Sequence, residues 1–247
     1  MIGGIIIGDE ILRGKREDKH LAKLIELLGV RGLKLDWAEY VGDDPVLITS
    51  TLKRTLASRD IVFCFGGIGA TPDDHTRACA AAAAGVDLCL HPGAEAELRA
   101  QYGKETSAFR LRMGEFPRGS DIIPNPYNRV PGFSLGEHFF MPGFPIMAWP
   151  MVEWVLDRHY AHLFNTRGDS EASVIVYELF ESTITPLMTE IEARFPAVKT
   201  FSLPSIGDDG KRRHIEFGVR GAPTQVVPAI EAIKAGVTTL GGRWEEQ

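Results

Sequence analysis

Cysteine is scarce. The 247-residue chain holds three, Cys64, Cys79 and Cys89, in no metal-ligating spacing, and their odd number argues against a disulfide framework. Cys64 falls in an apolar run and Cys79 in an alanine-rich one, where a free thiol acts as a small hydrophobe. A reducing, cytoplasmic setting is expected. No apolar run approaches the roughly 20 residues that span a bilayer, so no membrane partner is expected. The start does not read as a secretory leader either. Ile5-Ile6-Ile7 follows almost at once, with no charged segment before it and no cleavage site after it. Basic clusters are nearly absent. Lys211-Arg212-Arg213 is the one tight group and reads as a solvated loop. With a formal net charge of −6, this argues against a nucleic-acid partner, which favours a basic face. No internal repeat occurs, and nothing resembles the strained serine turn of α/β-hydrolases.

What remains is ordinary globular composition, 44% hydrophobic and 24% charged, long enough for one large domain or two modest ones. The first half alternates strand and helix. Apolar runs predict strands over 2–8, 33–41, 61–65 and 86–90. Helical spacing and punctuation by Pro and Gly predict helices over 17–28, 45–57 and 75–84. Such repeats imply right-handed crossovers and a mainly parallel sheet covered on both faces. Residues 93–114 read as polar helix. The stretch 117–145 is rich in Pro and Gly, with short strands at 121–123 and 138–141, and 144–164 reads as a helix that Pro150 should kink or delay. A boundary is expected at Asn165-Thr166-Arg167-Gly168-Asp169-Ser170. Beyond it, strands over 172–180, 198–203 and 214–220 and helices over 185–195 and 224–235 suffice for a small two-layer domain.

The chemistry concentrates in Gly66-Gly67-Ile68-Gly69-Ala70-Thr71-Pro72-Asp73-Asp74-His75-Thr76. A glycine turn after a buried strand lets backbone N–H groups approach a phosphate, and the helix behind it adds partial positive charge. Two carboxylates there would repel that phosphate. A divalent metal or an acid–base role reconciles them. The simpler alternative is a tight turn with Asp73 or Asp74 as helix cap. Asp9 and Glu10 follow the first strand, and Asp43 and Asp44 the second. In a parallel sheet all three turns share one edge, where ligands of open α/β sheets bind.

The same segment resembles the Gly-Gly-hydrophobic-Gly-x-Thr-x-Asp-Asp-x-Thr signature of the molybdopterin-binding (MoaB/Mog-type) domain, in the form found at the start of the CinA family. Ile7-Gly8-Asp9-Glu10-Ile11-Leu12-Arg13-Gly14 resembles that family's opening motif. Val41-Gly42-Asp43-Asp44-Pro45, Ile123-Pro124-Asn125-Pro126, Pro131-Gly132-Phe133 and Met141-Pro142-Gly143-Phe144-Pro145 match four more blocks in the same order. The eukaryotic FAD synthase carries a similar domain.

The resemblance implies an α/β fold, a three-layer α/β/α sandwich with a mainly parallel sheet over 1–165. A small α/β domain over 171–247 would follow, like that at the equivalent place in CinA. It implies a homo-oligomer, dimer or trimer, and a phosphate-bearing small molecule, molybdopterin or a nucleotide, as ligand. CinA-like domains hydrolyse the pyrophosphate of ADP-ribose with a divalent metal, so Mg is an implied cofactor. A non-catalytic binding module and nucleotidyl transfer in molybdenum cofactor biosynthesis are the alternatives. Carried over by position, Asp43, Asp74 and Glu10 are the implied catalytic residues. Asp43 and Asp74 would position metal or water, and Glu10 would hold a ligand hydroxyl or ring nitrogen. Ligand contacts are implied at Gly8, Asp9, Gly66, Gly67, Gly69, Thr71, Asp73, Thr76, Pro142 and Gly143. Asp18-Lys19-His20 stands where the family usually has Asp-Thr-Asn, which removes a side-chain amide from the pocket. Ile146-Met147 replaces the usual Ser-Glu.

Overall fold

The structure, a computed structural model, describes residues 1–166, 168, 170–207 and 212–246. It divides into two units, Met1–Thr166 and Arg167–Gln247. In chain order the first unit forms β1 (Ile2–Ile7), α1 (Asp9–Leu12), α2 (His20–Gly29), β2 (Trp37–Val41), α3 (Pro45–Leu56), β3 (Ile61–Phe65), α4 (Thr76–Ala84), β4 (Leu88–Leu90), α5 (Pro92–Tyr102), α6 (Ala108–Leu111), β5 (Glu115–Pro117), β6 (Asp121–Ile123), β7 (Gly132–Leu135), β8 (His138–Met141) and α7 (Pro145–His159).

Alternation along β3 builds the layers. Phe63 and Phe65 point to one face, where they pack with Leu24 and Leu28 of α2 and Val152 and Leu156 of α7. Val62 and Cys64 point to the other, with Ile48 and Leu52 of α3 and Cys79 and Ala80 of α4. A strand buried on both faces reads as a continuous apolar run, which is why it was visible in sequence. The six-stranded sheet has the order β2-β1-β3-β8-β7-β6. β1 pairs in parallel with β2 and β3, and β3 with β8, while β7 pairs antiparallel with β8 and β6. This is the expected α/β/α sandwich.

Several details differ from the sequence reading. The fourth expected strand does not enter this sheet; β4 pairs antiparallel with β5. The place beside β3 goes to β8, all four of whose residues are buried, whereas β4 is partly exposed. Helix α2 starts late, at His20, because the Asp18 carboxylate accepts the N–H groups of His20 and Leu21 at 2.8 and 3.1 Å. The polar helix at 93–114 breaks after Tyr102. Pro150 lies inside α7, which nonetheless runs from Pro145.

The second unit comprises β9 (Ser170–Tyr177), α8 (Glu181–Arg194), β10 (Val198–Ser205), β11 (His214–Gly221), α9 (Pro223–Thr239) and β12 (Arg243–Glu246). Its sheet is antiparallel, in the order β10-β11-β9-β12. Val174, Val176, Phe217 and Val219 form its core with Ile184 and Ile191 of α8 and Ile230 and Ile233 of α9. The polar composition of β12 hid it from the periodicity argument. At the boundary, Arg167 and Asp169 lie outside the described residues, as does Lys211 of the basic cluster; Arg212 pairs with Glu178 at 2.9 Å. Among the described residues, no helix is long and apolar enough to cross a membrane.

Candidate functional site

Parallel pairing of β1, β2 and β3 brings their carboxyl ends to one edge, and a cavity of about 710 Å³ opens there. Its size falls in the range of small-molecule sites, roughly 300–1,000 Å³. Its walls are Gly8 and Glu10 after β1, Asp43 after β2, residues 66–71 with Asp73 and Asp74 after β3, and Pro142, Gly143 and Phe144 after β8. Lys15 and Arg16 also line it.

The glycine turn explains its own composition. Gly66 has φ +103° and Gly67 φ +66°, a region costly for residues with a Cβ. A Cβ at Gly66 would meet the Ile7 carbonyl oxygen at 2.2 Å, and one at Gly67 would meet Thr76 Oγ1 at 2.2 Å. The Gly66 N–H donates to Met141 O at 3.0 Å, tying the turn to β8. The next four N–H groups, of residues 67–70, have no hydrogen-bond acceptor among the described residues. All four residues line the cavity. Successive free N–H groups ahead of a helix form an anion-binding concavity.

The acidic turns after β1 and β2 brace one another. The Asp9 N–H donates to Asp43 Oδ2 at 2.8 Å, and the Asp43 N–H donates to Asp9 Oδ1 at 3.2 Å. Asp9 Oδ2 takes the Arg13 guanidinium at 2.5 Å. Asp9 therefore serves the scaffold and does not line the cavity. Asp44 turns away as well. It caps α3, accepting from Val46 and Leu47 N–H at 2.8 and 3.0 Å. Of the six acids in the turns after β1, β2 and β3, Glu10, Asp43, Asp73 and Asp74 face the cavity. Burial pushes the Asp43 carboxyl upward from its ordinary range, opposed by the Asp9 N–H, and the Glu10, Asp9 and Asp73 carboxylates push it further up.

Two sequence readings of this loop need correction. Neither Asp73 nor Asp74 caps α4. Its N-cap is His75, with no side-chain cap bond. The Thr76 N–H instead donates to Gly67 O at 3.0 Å. Asp74 Oδ2 closes the loop, accepting the Thr71 N–H at 2.7 Å and its hydroxyl at 2.5 Å. Nor is Thr76 a cavity residue. It is fully buried, and its hydroxyl donates to Gly66 O at 3.0 Å. It supports the turn from behind. His75 lines a second, smaller cavity that shares Ala70, Thr71 and Asp74 with the first.

Sequence reasoning missed three groups here. Arg77, on the first turn of α4 and buried, donates Nη2 to the Gly69 carbonyl and Nη1 to the Arg112 carbonyl. Burial lowers its pKa, opposed by Asp74 and Glu115. A polar residue in an alanine-rich helix was the available signal. His20, also buried, has its ring stacked on Phe65 at 4.6 Å and its Nε2 3.2 Å from the Gly143 carbonyl. A carbonyl only accepts, so Nε2 carries the proton. Where the family motif has an amide, this imidazole holds the Pro142-Gly143 wall. The third group is the pair Lys15 and Arg16.

Residues 3–162 match the family model described as a probable molybdopterin binding domain. A CinA-like protein of Anaeromyxobacter sp. (strain Fw109-5) is 30% identical over 242 residues, covering 87% of this chain and 57% of that protein. A protein of Aeropyrum pernix is 27% identical over 256 residues, covering 98% of this chain and 96% of its own length. The crystal structure of the protein CinA with unknown function from Thermoplasma acidophilum superposes with a TM-score of 0.58 at 28% identity. That match covers 63% of this chain and 96% of that one. The chain spans about half the length of the first CinA-like relatives it matches. With the glycine turn, the acidic turns and the sheet order all in place, the chain belongs to the molybdopterin-binding domain family of the MoaB/Mog type, related to CinA.

Proposed function

We propose that this cavity binds the phosphate of a pterin or nucleotide, and that the chain hydrolyses a pyrophosphate of the ADP-ribose type. The row of free N–H groups at residues 67–70 carries the reading. Backbone donors without acceptors are costly where water is scarce. A phosphate supplies acceptors to several at once, and α4 behind the loop adds its positive end.

The carboxylates suit a hard cation that arrives with the phosphate. Oδ2 of Asp74 is engaged by Thr71 and Oδ2 of Asp43 by the Asp9 N–H, which leaves one oxygen free on each. Magnesium takes one or two carboxylates and completes its shell with phosphate and water. Among the described residues, no three His, Cys, Asp or Glu side chains are grouped to hold a metal alone. Asp43 and Asp74 would hold the ion, which when bound polarises the phosphoryl group. The N–H groups of 67–70 orient the phosphate and take up charge developing on its oxygens. Asp43 and Asp74 also position the attacking water beside the phosphate. Glu10 holds a ligand hydroxyl or ring nitrogen.

Chromatography of ADP-ribose incubated with the protein and Mg, Mn, Co or Ni tests this reading. AMP should appear with metal and vanish with chelator. Tight ADP-ribose binding without AMP release overturns the hydrolytic half and leaves a binding module. A thermal-shift panel of ADP-ribose, FAD, NAD, AMP, ATP and molybdopterin with no stabilisation overturns both halves.

A further inference from the structure

Lys15 and Arg16 reach the cavity through a local device. Helix α1 ends at Leu12, and Gly14 adopts φ +66°. The chain then doubles back, so that the Lys15 and Arg16 N–H groups both donate to the Glu10 carbonyl, at 2.9 and 3.1 Å. Both residues thereby line the cavity that Glu10 also lines. Neither side chain has an ion pair or hydrogen bond among the described residues, although four carboxylates line the same cavity. By contrast, nearby Arg13 is spent on Asp9. The glycine turn and this cationic pair are separate elements of one cavity wall, so a single phosphate on residues 67–70 leaves the pair without an anion.

We propose that Lys15 and Arg16 are ligand-binding residues that hold a second anionic group, and so select ligands with two linked phosphates over those with one. This rests on reading the cavity as a phosphate site. The chain as a whole repels polyanions, with a net charge of −6, so any preference for the more charged ligand must be local. Two solvent-facing cations on one phosphate amount to roughly a tenfold preference, the scale of paired exposed charges.

AMP and ADP, which differ by one phosphate, are the probes. Calorimetric titration at constant ionic strength, with and without Mg, should give about tenfold tighter ADP binding by the wild type. The K15A/R16A double variant should bind AMP as before but prefer ADP by less than about twofold. K15R/R16K should restore the preference. Both side chains are exposed, so the melting temperature should not move. An undiminished ADP preference in K15A/R16A, or equal binding of the two by the wild type, overturns the assignment alone. A wild type that binds neither overturns the phosphate reading and the assignment with it.

Discussion

Asp74, His20 and His138 show how position decides role. Asp74 and Asp44 are both acids in turns at one sheet edge, yet Asp44 is spent on a helix cap and Asp74 closes the glycine loop beside the cavity. Asp74→Asn keeps size and hydrogen-bonding capacity and removes charge. ADP-ribose turnover should fall about a hundredfold or more, as on losing a major electrostatic stabiliser, while phosphate binding in chelator holds or tightens. His20 is the second case. His20→Asn restores the family residue and should keep ligand affinity. His20→Leu leaves the Gly143 carbonyl without its donor and should cost about 1 kcal/mol of stability together with ligand affinity, read by urea melts and calorimetry. His138 is the third. It is buried, 2.9 Å from Thr55 Oγ1, and burial pushes its pKa down to about 4. The unfolded chain takes up this proton below about pH 6.5, and the folded chain holds it off until about pH 4. Stability from this group is therefore full above pH 6.5 and falls as pH drops toward 4. It amounts to about 2 kcal/mol between pH 8 and 5, and His20, lowered in the same direction, adds to it. Urea melts against pH should show this slope, and His138→Gln should flatten it. A pH-independent midpoint would contradict the burial argument.

At the scale of elements, the glycine turn is legible because its chemistry is local: a buried strand, glycines with positive φ, and acids within ten residues. What sequence could not show is which face of the turn each side chain takes. Thr71 lies in the loop and Thr76, five residues on, opens α4, yet one lines the cavity and the other is buried behind it. The sheet edge behaves likewise. β1 and β3 were readable as apolar runs, but the competition between β4 and β8 for the place beside β3 is decided by burial across the sheet, which a local pattern does not carry. Arg77 is the long-range part of the turn, joining the Gly69 and Arg112 carbonyls. Arg77→Met removes donors from both and should destabilise the first unit by about 2–4 kcal/mol. It should also weaken ADP-ribose binding while leaving the circular dichroism spectrum native. Unchanged stability and affinity would mean that the clamp is dispensable.

At the scale of the molecule, two units with separate cores carry separate patterns. The first reads clearly from sequence because its buried parallel strands are uniformly apolar. The second reads less well because its sheet edge, β12, is polar and its ordering is antiparallel. The central claim places a phosphate on the free N–H groups of residues 67–70. Hydrogen–deuterium exchange of the whole chain, with and without saturating ADP-ribose and Mg, tests it most directly. The account predicts slowed exchange concentrated at residues 66–74, with lesser protection at 142–144 and 14–16. Protection confined to the second unit, or bound ADP-ribose with unchanged exchange at 67–70, would contradict it.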